Sequence, residues 1–260
     1  MRNWAKLYIK RKIVMNYKIA LEYEGTRYNG WQRQVSTPNT IQGIIEEAIK
    51  NVTGEEIEIN GSGRTDAGAH ALGQVANFKL NGEYDELMDR LNDALPADIR
   101  ILSCEAVDER FHARLNAKAK TYVYKIDTAK KVNVFTRRTV NHFPYDIDIE
   151  KMREAAEMLK GKKDFKAFCS NKRTKKSTVR NIYSIDIEKR GSEITFTYRG
   201  NGFLYNMVRI LTGTLLEVGI GKINVNEIED IIKSGDRSRA GMTMPPRGLT
   251  LVSVEYEENK

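Results

Sequence analysis

The chain has 260 residues, 40% of them apolar, and a formal charge of +8 from 43 Lys and Arg against 35 Asp and Glu. That length suits one large domain or two small ones, and the apolar share supplies a substantial core. No apolar run is long enough to span a membrane. Cys104 and Cys169, far apart, are too few for a disulfide framework or a zinc motif, so a cytoplasmic, reducing setting is expected.

The first 15 residues, MRNWAKLYIKRKIVM, are basic and lack both a continuous apolar stretch and a small-residue cleavage site, so they do not read as a secretory signal. They are either a disordered basic extension or sequence upstream of a start at Met15. Tyr17, Ile19, Leu21 and Tyr23 alternate, which predicts a strand over 17–23. Ile41, Ile44, Ile45, Ala48 and Val52 recur at helical spacing over 40–52. Ile57 and Ile59 predict a second strand, and Ala76, Phe78 and Leu80 a third. A helix over 85–95 stops at Pro96, and Ile99 and Ile101 begin a fourth strand.

The order then repeats. A strand over 121–127 precedes a helix over 148–160, with Gly161 just past its end. Strands over 182–187 and 194–198 flank a turn at Arg190-Gly191, and a helix over 206–218 closes at Gly219. An extra helix over 225–233 and a strand over 249–256 complete the chain. Each half, 16–115 and 116–260, thus reads β-α-β-β-α-β, the split ferredoxin-like arrangement of the α/β (α+β) class. Two such halves can form one continuous, mainly antiparallel sheet, with helices on one side and an RNA-binding cleft on the other.

The net positive charge favours polyanionic partners, nucleic acid first, although a lysine-rich solvated surface gives the same composition. The charge concentrates in a basic loop, 160–181. There Lys172, Arg173, Lys175, Lys176 and Arg180 sit among other lysines with Asp164 as the lone acid. Such a loop either contacts an RNA backbone by neutralising phosphates or is a mobile, solvated loop, with Phe165 and Phe168 anchoring it to the core.

Residues 60–74, NGSGRTDAGAHALGQ, pose the sharpest question. A phosphate loop would need a lysine and a Ser or Thr opening a helix, and this loop runs between strands without a lysine. Asp66 and His70 lack a further ligand cluster, which argues against a metal. What remains is a presented carboxylate, with Arg64 two residues away to keep it charged. On residue types alone, an Asx-turn in which Asp66 caps its own backbone serves as well.

GRTDAGAHA resembles the active-site segment of the TruA family of tRNA pseudouridine synthases. So do YEGTRYNGWQRQ (23–34), FHARLNAKAKTYVYKI (111–126), GNGFLYNMVRILTGTLLEVG (200–219) and PPRGLTLVSVEY (245–256), in family order. Ala69 stands where the family usually has valine, and neither 1–15 nor 160–181 matches well. The resemblance implies a pseudouridine synthase fold and an isomerase acting without cofactor or metal. Its substrate would be the tRNA anticodon stem-loop, at positions 38, 39 and 40, and it would work as a homodimer.

By the same resemblance Asp66 is the catalytic residue, in the role of nucleophile. It would add to uracil C6, attack ribose C1′, or take the 2′ proton. Tyr122 would stack on the uracil and its hydroxyl would move the C5 proton, although Tyr124 shares its strand face. Arg64 would pair with the aspartate and help displace the base. Arg209 would hold the aspartate, and Leu249 would line the uracil pocket. A non-catalytic tRNA-binding or folding module on the same platform is the alternative. His70, His112, Trp31 and Gln32 read as structural.

Overall fold

The first strand, β1 (Val14–Tyr23), buries Tyr17, Ile19, Leu21 and Tyr23 on one face, as period-two alternation requires. It belongs to a computed structural model that describes residues 14–171 and 176–257. Val14 and Met15 lie in the sheet, so the strand reaches into the expected extension; residues 1–13 lie outside the described residues. Helix α1 (Ile41–Thr53) starts where the Thr40 side chain accepts the Gly43 N–H and ends at left-handed Gly54. There follow β2 (Asn60–Gly61), β3 (His70–Asn81), α2 (Leu87–Ala94) and β4 (Ile99–Val107).

The second half holds β5 (Ala119–Asp127), β6 (Asn141–His142), α3 (Ile149–Leu159) and β7 (Gly161–Asp164). It continues with β8 (Val179–Arg190), β9 (Glu193–Gly200), α4 (Met207–Gly219), α5 (Glu227–Ser234) and β10 (Leu249–Glu255).

One sheet runs β4-β1-β3-β10-β5-β9-β8-β7, with β2 added to β3 and β6 to β5. The orders β4-β1-β3-β2 and β10-β5-β9-β8 are the same ferredoxin-like order twice. The halves join where β10 runs parallel to β3, Thr250 opposite His70 and Leu251 opposite Ala71. A bulge makes this junction possible. Leu21 pairs with Gln74 but Tyr23 pairs with Ala71, so one residue is inserted in β3. Ala71 and Gln74 therefore share a face, and the helix-bearing sides of the two halves coincide. A continuous apolar cluster runs through both, from Ile19 and Ile45 to Phe196 and Leu215.

Three expectations change. Ile57 and Ile59 form no strand; β2 is confined to Asn60–Gly61. Side chains of α1 satisfy the backbone of Ile59 instead, its N–H donating to Glu46 Oε1 at 3.1 Å and its carbonyl accepting from Gln42 Nε2 at 3.4 Å.

The segment 160–181 is not a single loop. Gly161–Asp164 pairs antiparallel with β8 from Ile182 back to Val179, and Phe165 and Phe168 are fully buried. Lys172, Arg173 and Lys175 fall outside the described residues.

The cleft, expected on the bare face, opens on the helix-bearing side between α1 and α4. Lys120 and Tyr122 share a face of β5 with buried Tyr124, and both line the cavity. The opposite face of the first half is covered by the chain linking β4 to β5. There Asn16 Nδ2 donates to the carbonyls of Asp108 and Phe111 at 2.9 and 3.0 Å, and Ala113 N–H donates to Asn77 Oδ1 at 2.9 Å.

Candidate active site

The loop between β2 and β3 carries Asp66, and residues 23–31 hold it by its backbone. Trp31 N–H donates to the Thr65 carbonyl at 3.1 Å, and Gly68 N–H donates to the Tyr28 carbonyl at 3.2 Å. The Tyr23 hydroxyl and Thr65 Oγ1 lie 2.8 Å apart in the interior. Gly25 packs so closely that a Cβ there would stand 1.8 Å from the Ala69 carbonyl oxygen, a place only glycine fits. Gly68 has φ +78, and Ala69 N–H closes the turn onto the Asp66 carbonyl at 3.1 Å. Asp66 thus sits in a turn, but its side chain does not cap it.

That side chain turns to α4. Arg209 Nη1 donates to Asp66 Oδ2 at 2.9 Å, with both side chains under a fifth exposed (14% and 17%). The same guanidinium donates to Asn206 Oδ1 at 2.8 Å and through Nε to the Met244 carbonyl at 2.6 Å. Three acceptors fix its plane, which orients the carboxylate.

Arg64 is placed differently from the sequence expectation. It is exposed on the cavity wall and makes no ion pair with Asp66. The loop turns at Asp66, so a spacing of two residues does not bring the two side chains together.

The cavity above Asp66 has a volume of about 1230 Å³. Tyr122 and Leu249 line it, 8% and 5% exposed. The Tyr122 ring meets Phe203 edge-on at 5.2 Å. Its hydroxyl has no hydrogen-bond partner among the described residues. Burial pushes its phenol well above the ordinary value, with the nearby Tyr23 and Asp66 adding to the rise. Spacing could not separate Tyr122 from Tyr124, but the structure does. Tyr124 is fully buried and its hydroxyl donates to the Pro245 carbonyl at 2.7 Å, away from the cavity wall.

Lys176 and Arg180 of the basic segment also reach the cavity. Lys120, Arg114, His112 and Phe203, which sequence reasoning did not single out as site residues, line it as well. Parity was the available signal for Lys120, two residues before Tyr122 on the same strand face. Its Nζ donates to the Ser62 carbonyl at 2.5 Å. Burial lowers its pKa to about 8, with Arg114 and Arg180 contributing.

His70 is buried and turned away from the cavity. Its Nδ1 accepts the Gly25 N–H at 3.0 Å, and its Nε2 lies 3.0 and 3.1 Å from the carbonyls of Arg138 and Arg247. Among the described residues no three His, Cys, Asp or Glu side chains gather as a metal site would require. No helix of the described chain is long and apolar enough to cross a membrane.

Known proteins resemble the chain over most of its length. A family model described as tRNA pseudouridine synthase matches residues 19–116 and 155–257. The chain is 46% identical to tRNA pseudouridine synthase A of Thermoanaerobacter sp. strain X514, over 93% of this chain and 99% of that one. It is equally similar, 46% with the same coverage, to the enzyme of that name from Acetivibrio thermocellus. It is 47% identical to tRNA pseudouridine synthase A 2 of Clostridium perfringens, again over 93% and 99% of the two chains.

Proposed function

The chain belongs to the tRNA pseudouridine synthase family, and from that membership we propose that Asp66 carries the isomerisation of a uridine in the tRNA anticodon stem-loop. The reaction breaks the N1–C1′ bond, turns the uracil and joins C5 to C1′. N1 gains a proton and C5 loses one, so the balance needs neither oxidant nor reductant. The observation that carries the reading is the Asp66–Arg209 pair beneath Tyr122 and Leu249 in an open cavity.

Each residue has a part. Asp66 acts as nucleophile on the target nucleotide, its carboxylate aimed by Arg209. Tyr122 stacks on the detached uracil, which prevents its escape, and its hydroxyl relays the C5 proton, releasing its own to water in the cavity as it takes the other. Leu249 supplies an apolar wall for the base. Arg64, exposed at the mouth, fills the space that the base leaves in the stack. Unstacking costs a few kcal/mol, and an inserted guanidinium offsets part of that.

Reading several neighbouring uridines, at positions 38, 39 and 40, calls for recognition of shape and backbone rather than base edges. The basic residues of 160–181 suit that role. A cytoplasmic homodimer that shares one tRNA between its subunits completes the proposal.

Tritium release from C5-labelled uridine in tRNA, comparing wild type with Asp66→Ala, tests it. Loss of release with tRNA affinity retained is the expected outcome. Release that persists in the variant overturns the role of Asp66. Binding without release in the wild type points to a non-catalytic module.

A further inference from the structure

Three cations on the cavity wall have no carboxylate partner. Lys120, Arg114 and Arg180 all line the cavity, and none forms an ion pair with a described Asp or Glu. Asp66 is engaged by Arg209, and Glu58 is exposed at the rim. Other cations of the chain do find such partners, as Arg199 does with Glu255 and Arg33 with Glu46. Lys120 and Arg180 are also partly removed from water, and burial lowers the pKa of both. Like charges gathered in a partly desolvated wall repel one another and are costly without a counter-ion.

The backbone fixes where the cluster stands. Lys120 pairs across the sheet with Gly200, which pairs in turn with Ile182, two residues past Arg180. Arg114 comes from the segment that leads into β5. A Cβ placed on Gly63 would lie 3.0 Å from Lys120 Nζ and 3.8 Å from the Tyr122 hydroxyl. The ammonium and the phenol therefore flank one small volume beside the Asp66 loop. A free ammonium has three donors. The Ser62 carbonyl takes one at 2.5 Å, which leaves donors for an anion in the cavity.

We propose that Lys120, with Arg114 and Arg180, forms the binding site for an RNA phosphate flanking the uridine held at Asp66. This deepens the function proposed above and rests on it for the position of the uridine. A phosphate accepts from several donors at once and supplies the charge that the cluster lacks. Bound there, it fixes one side of the target nucleotide while Asp66 and Tyr122 address the sugar and base. This contact reads backbone and not sequence.

The test is a double-mutant cycle on binding. The probe is a synthetic anticodon stem-loop RNA. It is used in all-phosphate form and with a single uncharged methylphosphonate on the 5′ or the 3′ side of the target uridine. Dissociation constants are measured by fluorescence anisotropy for wild type, Lys120→Gln and Lys120→Arg. In the wild type, neutralising one of the two positions weakens binding roughly tenfold, the scale of a charge-assisted contact. In Lys120→Gln the all-phosphate RNA binds roughly tenfold more weakly, and the same neutralisation costs nothing further. Lys120→Arg keeps the penalty. The salt dependence of binding by Lys120→Gln flattens by about one phosphate.

Equal penalties in wild type and Lys120→Gln at both positions overturn the proposal, as does wild-type binding that is indifferent to both. Should Lys120→Gln not fold, Arg114→Gln, on an exposed segment, carries the same cycle: loss of the neutralisation penalty supports the site, and an unchanged penalty overturns it. Pseudouridine formation on the all-phosphate RNA is scored separately. Its absence in the wild type tells against the proposed function, while the binding cycle alone judges the phosphate site.

Discussion

Arg209 Nη1 and Asp66 Oδ2 meet at 2.9 Å across a separation of 143 residues. The contact ties the loop of the first half to α4 of the second at the floor of the cavity. The guanidinium is also held by Asn206 and by the Met244 carbonyl, so the pair is a fixed orienting device. Arg209→Met is expected to lower kcat by about 10²–10³, the scale seen when one preorganised electrostatic partner is lost. Arg209→Lys recovers part of this, because a lysine restores the charge but not the planar fork. Single-turnover pseudouridine formation at saturating enzyme checks it, and full activity in Arg209→Met would remove the orienting role.

Tyr122 offers a cleaner separation of roles. Its hydroxyl has no partner among the described residues, so Tyr122→Phe costs no internal hydrogen bond and the melting temperature is expected to stay unchanged. The ring contact with Phe203 survives, and so does the surface for the uracil. The rate is expected to fall by about 10²–10⁴, the range for loss of a positioned acid or base, with tRNA affinity preserved. Tyr122→Ala weakens affinity as well. If Tyr122→Phe turns over at the wild-type rate, the hydroxyl does not move the C5 proton.

The element order was legible because apolar periodicity survives in Tyr17–Tyr23 and Ile41–Val52, where one face of each element is buried. It misled at Ile57 and Ile59. Those two are drawn inward like strand residues, yet Gln42 and Glu46 of a helix take the Ile59 backbone groups. Local pattern cannot show a side chain from 13 residues away satisfying a backbone N–H. Likewise the Asp66 loop alone could not decide between an Asx-turn and a presented carboxylate, because the deciding contact comes from Arg209. The side of the sheet on which the cleft opens depends on the bulge in β3, which no alternation pattern marks.

Gly25 tests how strictly the Asp66 loop is held. A methyl there would lie 1.8 Å from the Ala69 carbonyl oxygen, which is backbone and has no rotamer to change. Gly25→Ala is expected to destabilise by about 1–3 kcal/mol, the usual cost of overpacking, and to lower kcat because Ala69 is three residues from Asp66. Urea denaturation and single-turnover rates measured together check this. Wild-type values for both would mean that the loop yields without disturbing the carboxylate.

Lys120 makes a prediction about stability and pH in the absence of RNA. Its folded pKa is about 8, below the ordinary 10.5, because burial disfavours the ammonium and Arg114 and Arg180 add to the effect. Below about pH 8 the lysine is charged in both states, and the folded protein bears the full cost of a half-buried cation. Between about pH 8 and 10.5 the folded state releases the proton while the unfolded chain keeps it. The unfolded state then binds more protons, so this contribution to stability rises with pH. The stability of wild type relative to Lys120→Gln is therefore expected to climb over that window, by at most about 1.4 kcal/mol per pH unit, and to be flat below it. Urea titrations of both proteins at about pH 7, 8, 9 and 10 measure the difference, in which pH effects common to the two cancel. A flat difference would place Lys120 in water with an ordinary pKa. A rise that disappears when stem-loop RNA is added would show that an anion at this wall supplies the charge that burial withholds.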